Sequence, residues 1–211
     1  MFQLRFLSLS AFATFAPLAF SQTVTSYDML NGNGVASGGN FNYWDLDYSG
    51  SGQTNVDNSP LSGGLGDLTD GVVATDNWFN VENTAGTGPY VGWRFADPSV
   101  VFHFAGVTPI GQVTVYSDDS DHTGGVNLLS GVVINGTFFD VDENSAGSEP
   151  KALVFSGLGL VTDTVELTFV RSDEWAFVSE VQFDAIPEPV TLLTLGAALL
   201  VSRRRRSNTQ I

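Results

Sequence analysis

The chain has 211 residues, 43% of them hydrophobic, with 23 acidic against 8 basic side chains and no cysteine. That is enough for one domain with a sizeable core, and it excludes thiol catalysis, disulfide stapling and cysteine-based zinc sites. Five of the cations, Arg5 and Arg203 to Arg206, lie at the ends, so residues 22–186 hold three cations and 22 acids, a net charge of −19; a body this acidic repels phosphate backbones and excludes nucleic acid as a partner.

The N-terminus reads "MFQLRFLSLSAFATFAPLAFSQT". Arg5 precedes an apolar run, Phe6 to Phe20, and Ala19 and Ser21 occupy the small-residue positions of a cleavage site. This layout predicts a secretory signal over residues 1–21, with Gln22 as the mature start. Residues 22–67 are rich in Gly, Asn, Ser and Asp, with apolar character around Tyr43, Trp44, Leu46 and Tyr48. They read either as the N-terminal part of a β domain or as a flexible lead-in.

Residues 68–185 show almost no helical periodicity. Short apolar or alternating runs predict strands at 90–95, 99–104, 110–116, 126–134, 137–141, 164–170 and 174–184. Asn135-Gly136 predicts a tight hairpin turn. In "TVELTFV", Val165, Leu167 and Phe169 alternate with Thr164, Glu166 and Thr168, as in a half-buried strand. The predicted fold class is all-β, a jelly-roll β-sandwich.

The ordered set "LTDG" (68–71), Trp78, "GPYVGWRF" (88–95), "VVFHF" (100–104), "IGQVTVY" (110–116), "GGVNLLSGVVING" (124–136) and "VSEVQFD" (178–184) resembles the discoidin or coagulation-factor type C family of galactose-binding-like jelly rolls. The pattern departs from the family at Leu128-Leu129, where a proline is often found. The resemblance implies a structural Ca²⁺ held by Asp70 of the Asp-Gly loop and Glu180 of the last strand, with Asp67 and Thr69 beside them. The competing reading is a plain turn at Asp70-Gly71 and a solvated Glu180.

"SDDSDHTGG" (117–125) mimics the first half of a calcium loop, but the twelfth position from Asp119 is Ser130 rather than Glu. An EF-hand is therefore excluded, and a solvated turn is expected. Sugar recognition calls for an aromatic face and a few polar groups. Tyr43, Trp44, Tyr90, Trp93 and Trp175 supply aromatics; Arg94, Asp118, Asp119, Asp121, His122 and Asn127 supply hydrogen-bonding groups. Trp44, Asp119, Asp121 and His122 are the preferred ligand candidates, because they fall in polar stretches. His103, inside "VVFHF", reads as a core or face histidine. No Gly-x-Ser-x-Gly elbow occurs, so a non-catalytic role is expected. A purely structural surface protein and a carbohydrate-active enzyme remain the alternatives.

The C-terminus joins Pro187, Glu188 and Pro189 to an apolar run, Val190 to Val201, followed by Arg203, Arg204, Arg205 and Arg206 and a polar tail, 207–211. Twelve helical residues span roughly 18 Å, short of a hydrocarbon core of about 30 Å. The arginines stay on the cytoplasmic side. This arrangement over 186–206 resembles the PEP-CTERM sorting signal. It implies a short transmembrane helix, transient residence in the inner membrane, processing by an exosortase-type transpeptidase, and delivery to the cell surface or extracellular matrix, often beside exopolysaccharide.

Overall fold

The computed structural model describes residues 21–34, 41–142 and 148–185. Residues 1–20 of the predicted secretory signal (1–21), and the predicted sorting signal (186–206) and polar tail (207–211) with Pro187, Glu188, Pro189 and Arg203 to Arg206, lie outside the described residues. Among the described residues, no helix is long and apolar enough to cross a membrane.

In chain order the elements are β1 (Ser21–Gln22), β2 (Val24–Leu30), β3 (Pro60–Gly64), a single helical turn α1 (Trp78–Val81), β4 (Val91–Arg94), β5 (Ser99–Ser117), β6 (Gly131–Ile134), β7 (Thr137–Asp140), β8 (Lys151–Val170) and β9 (Trp175–Ala185). Every strand pairing is antiparallel. β5 and β8 are long, and each serves two layers. In its first half, β5 sets Phe102 opposite Tyr27 of β2 on one side and Val165 of β8 on the other. The register breaks between His103 and Thr108. Beyond the break, Val113 lies opposite Phe183 of β9 and Phe155 of β8. Pro109, which has no N–H to give a ladder, sits just after this irregularity.

One layer therefore runs β3-β2-β5-β8-β6-β7, and the other runs β8-β5-β9 with β4 and β1 on the far side of β9. Rings from the two layers meet between them. Phe102 lies 5.1 Å from Phe183, Trp93 lies 6.1 Å from Phe169, and Phe139 lies 5.7 Å from Phe155. The chain is a β-sandwich whose layers share two bent strands.

Several predicted elements fall into place. Val165, Leu167 and Phe169 are buried while Glu166 is exposed. Asn135 (φ 46°) and Gly136 (φ 82°) both take the left-handed conformation, as a two-residue hairpin between β6 and β7 requires. His103 sits half-exposed on the outer face of β5, with Nε2 2.9 Å from Asp28 Oδ2 of β2.

Other elements differ. The strands predicted at 99–104 and 110–116 are one bent strand. The strand predicted at 126–134 begins only at Gly131. The first half of β8 has no counterpart in the prediction, since Gly157 and Gly159 (φ 73° and 61°) and the exposed Val154 and Val161 blur its alternation. Residues 22–67 are built into the sandwich: β2 and β3 belong to them, and Tyr27 and Leu61 are core residues. β2 escaped notice because a register shift after Val24 leaves its buried residues at 24, 27 and 29 instead of at every second position.

Truncating Phe102, fully buried between the layers, to alanine should cost about 3–5 kcal/mol. Glu166→Ala on the exposed face of the same ladder should stay within about 0.5 kcal/mol of the parent. Urea unfolding of the two variants checks both.

Candidate functional site

β9 opens with Trp175 and Phe177, two residues apart and so on one face of the strand. Their rings stack at 5.4 Å with an interplanar angle of 5°. Tyr43, from the loop between β2 and β3, meets both edge-on, at 5.2 Å and 4.6 Å. Phe41 and Trp78 close the group, 5.0 Å apart and nearly perpendicular. Such edge-to-face contacts favour this arrangement by about 0.5–1.5 kcal/mol per pair beyond simple burial. Between these rings lies a cleft of about 410 Å³, completed by Val126, Gly124, Gly125, Arg94 and Glu174.

Trp78 is held from behind. The Asp118 carboxylate accepts the Trp78 backbone N–H (2.6 Å) through one oxygen, and the Asn77 amide (2.9 Å) and Ser120 hydroxyl (2.7 Å) through the other. Asp118 is fully buried, and burial pushes its pKa up to about 6 against the pull of those hydrogen bonds. The indole N–H of Trp78, by contrast, has no partner although it is buried. A buried donor left unmade costs free energy. Gly124 packs on the same ring: a Cβ there would stand 2.6 Å from Trp78 Cζ2, and the residue's φ of 68° also requires glycine.

The rim carries charge. Arg94 donates from Nη2 (2.9 Å) and Nε (3.3 Å) to one oxygen of Glu174. Its guanidinium lies over the Phe95 ring at 4.6 Å and the Trp175 ring at 5.6 Å.

The loop 117–125 is not the solvated turn expected from its composition. Ser117 to Ser120 are buried, and Asp119 is buried with its Oδ1 accepting the Asp121 N–H at 3.4 Å. Only Asp121, His122, Thr123 and Gly124 are exposed. Asp121 and His122 take positive φ (45° and 65°), and His122 Nδ1 stands 2.7 Å from Asp173 Oδ2. Of the sequence candidates, Tyr43, Arg94 and Trp175 line the cleft, Tyr43 and Trp175 as buried rings of a second core cluster that also holds Tyr90 and Phe177; Tyr90 and Trp93 are buried and do not line it. Trp93 donates its indole N–H to the Leu30 carbonyl. Asn127 donates to Ser172. Trp44 lies elsewhere, half-buried, its indole N–H given to Asp57 at 2.7 Å. Phe41, Trp78, Glu174 and Phe177 also line the cleft. The sequence signal for Trp78 was its place after Asp-Gly; for Phe177 it was the spacing of two from Trp175.

Asp70 and Glu180 converge. The Gly71 N–H donates to Glu180 Oε2 at 3.2 Å, and Asp70 Oδ1 accepts the Val72 N–H at 2.7 Å. Burial, with the Asp70 charge beside it, pushes the Glu180 carboxyl up to about 7. Glu180 is buried and Asp70 is exposed; a hard cation held by the two would take its other oxygens from carbonyls and water. Among the described residues, no group of three or more His, Asp or Glu is placed to hold a metal.

A second cavity, about 360 Å³, is lined in part by Asp47, Asp67, Asp70 and Thr75. Below it the Tyr27 hydroxyl donates to Asp45, and Asp45 also accepts the Asp67 N–H. Burial and the surrounding carboxylates raise Asp67. Glu82, at the end of α1, gives Oε1 to the Tyr90 N–H (2.8 Å) and leaves Oε2 without a partner. Burial, then the Asp118 charge, pushes it up to about 8.

A sandwich of two layers with an aromatic cleft, its loops held by buried polar contacts, defines a discoidin-type domain. The chain belongs to the family of the DS-like domain of discoidin domain-containing receptors 1 and 2, whose model matches residues 23–185. The match begins well before Leu68, where the sequence resemblance was read. Among solved structures, a truncated AlyQ with CBM32 and alginate lyase domains is similar at a TM-score of 0.46 and 12% identity, covering 82% of this chain. This chain spans 35% of that one. The family 32 CBM of C. perfringens NanJ in complex with galactose gives 0.32 and 9%, over 45% of this chain and 75% of that one. Allantoicase from Saccharomyces cerevisiae gives 0.29 and 10%, over 79% and 74%. No curated protein matches the chain.

The Glu82 carboxyl has a folded-state pKa near 8 against about 4.3 when unfolded. A raised value means the fold favours the protonated form. The stability it lends is whole below about pH 4 and is lost as pH rises through about 8. Glu82→Gln, neutral at every pH, should therefore match the parent near pH 5 and exceed it by about 1–3 kcal/mol above pH 8. Thermal melts of both proteins from pH 5 to 9 measure the gap.

Proposed function

We propose that this chain is an exported, non-catalytic binding domain that holds a carbohydrate in the aromatic cleft. One observation carries the reading: a cleft of about 410 Å³ is lined by Phe41, Tyr43, Trp78, Trp175 and Phe177, with Arg94 and Glu174 at its rim. A sugar ring has an apolar face to lay against the partly exposed rings of Phe41 and Trp78. Arg94 and Glu174 at the rim offer a donor and an acceptor to further hydroxyls. Asp118 acts through Trp78, fixing its backbone, and is a positioning residue.

Location belongs to the same proposal. The leading signal sends the chain out. The Pro187-Glu188-Pro189 tail holds it at the inner membrane until an exosortase-type enzyme releases it to the surface or matrix, where exopolysaccharide is the available ligand. Calcium is a structural adjunct: Asp70 and Glu180 would hold it, fastening the 66–72 loop to β9.

A glycan array probed with the protein, with and without EDTA, tests the binding. Selective signal on some glycans is expected, and Trp175→Ala should weaken it at least tenfold. Flat response to every glycan would leave a purely structural surface protein. Release of sugar products from a bound polysaccharide would favour an enzyme instead. Added Ca²⁺ should raise the melting temperature of the parent, and Glu180→Gln should abolish that rise. Replacing Pro187, Glu188 and Pro189 by alanine should leave the chain in the membrane fraction on cell fractionation, where the parent is recovered from the surface.

A further inference from the structure

The three cations between residues 22 and 186 are Arg94, Lys151 and Arg171. Each is committed to a carboxylate. Arg94 meets Glu174 at 2.9 Å, Lys151 meets Glu149 at 3.3 Å, and Arg171 meets Asp97 at 3.0 Å. Arg171 also donates to the carbonyls of Asp173 and Glu174, directly behind the cleft rim. The next acid along the rim, Asp173, is paired with His122. Arg94 is thus the one cation lining the cleft, and Glu174 cancels it there. The body around this rim carries −19.

Resting on the carbohydrate reading, we infer that the cleft selects uncharged sugar residues and rejects uronates and other anionic sugars, with Glu174 as the residue that sets this choice. A carboxylate entering the cleft meets a guanidinium already neutralised, and it brings its own charge beside Glu174 in a field of the same sign. A neutral hydroxyl loses nothing by this. It shares the exposed edge of the Arg94–Glu174 ion pair. The selectivity works by repulsion: the paired acid disfavours the wrong ligand more than it attracts the right one. Glu174 suits that role because its side chain is 42% exposed, so little of the fold depends on it.

The test uses methyl glycosides matched in all but C6: the galactoside, glucoside and mannoside, each beside its uronate. Binding is read by calorimetry and by quenching of tryptophan fluorescence at low salt. For at least one pair, the neutral sugar should bind the parent ten times or more tighter than its uronate, and the ratio should shrink as salt rises. Glu174→Gln, which leaves Arg94 charged and unopposed, should bring the ratio to one or reverse it. Arg94→Gln, which leaves Glu174 unopposed, should enlarge it. Equal or tighter uronate binding by the parent overturns the inference and leaves the carbohydrate reading standing. So does a ratio unmoved in both variants. Absence of binding by every member of every pair overturns the carbohydrate reading itself, and this inference with it.

Discussion

β5 and β8 remain hydrogen-bonded to each other while both cross from one layer to the next. The rest of the structure depends on that shared bend. Because the two strands pair on both sides of the register break at the corner, His103 with Thr164 before it and Thr108 with Thr162 after it, the two layers cannot slide independently. Residues set by the first half of β5, such as Phe102, are held in fixed relation to β9 through the second half. β9 then has one side on β5 and the other on β4 and β1. Its first residues, Trp175 to Phe177, are delivered at the start of a strand anchored along its length. The aromatic floor of the cleft thus rests on the most constrained part of the molecule, as precise recognition requires.

The other wall comes from a weaker element. α1 is one turn long, and a helix this short does not stand by its own hydrogen bonds. It is stabilised from outside. Asp118, leaving the end of β5, accepts the Trp78 N–H, while Asn77 binds the side chains and carbonyl of the same loop. The two ends of the turn, partly or wholly buried, each leave one side-chain atom without a partner: Trp78 Nε1 and Glu82 Oε2. Trp78 lines the aromatic cleft, and Glu82, four positions on, lies against Gly88 beside the acidic cavity. Polar groups left unsatisfied are selected against unless something uses them.

How much of this was legible beforehand depends on how local the signal was. The Asn135-Gly136 turn and the Val165-Leu167-Phe169 face were readable because each is decided within a few residues. The convergence of Asp70 and Glu180 was expected only through a family resemblance, since more than a hundred residues separate them. β2 stayed hidden because a bulge shifts its period. The cleft stayed hidden for a different reason. Its aromatics come from the lead-in, from α1 and from β9, and nothing in a linear pattern says that Tyr43 and Phe177 meet. Trp44, its neighbour, looked the better ligand residue because its surroundings are polar. In the fold that polarity is taken up locally, by Asp57. Composition marks the segment as rich in hydrogen-bonding groups but does not tell which are already used.

The same distinction between groups present and groups free applies to charge. A body with 22 acids invites the view that it simply floats in its own negative field. Yet several of the acids, including Asp45, Glu82, Asp118 and Glu180, are buried and held with raised pKa values. They contribute less than their number to the external field near neutral pH and more to fixing loops: Asp45 and Glu180 on the 66–71 loop, Asp118 and Glu82 on α1. The cations show the reverse pattern. With three in the body, each paired, no positive charge is left over to recruit an anion. On the carbohydrate reading proposed above, recognition at this surface rests on ring faces, hydroxyl groups and shape. Those are the features that the bent β5–β8 ladder and the Asp118-held turn bring together at Trp78 and Trp175.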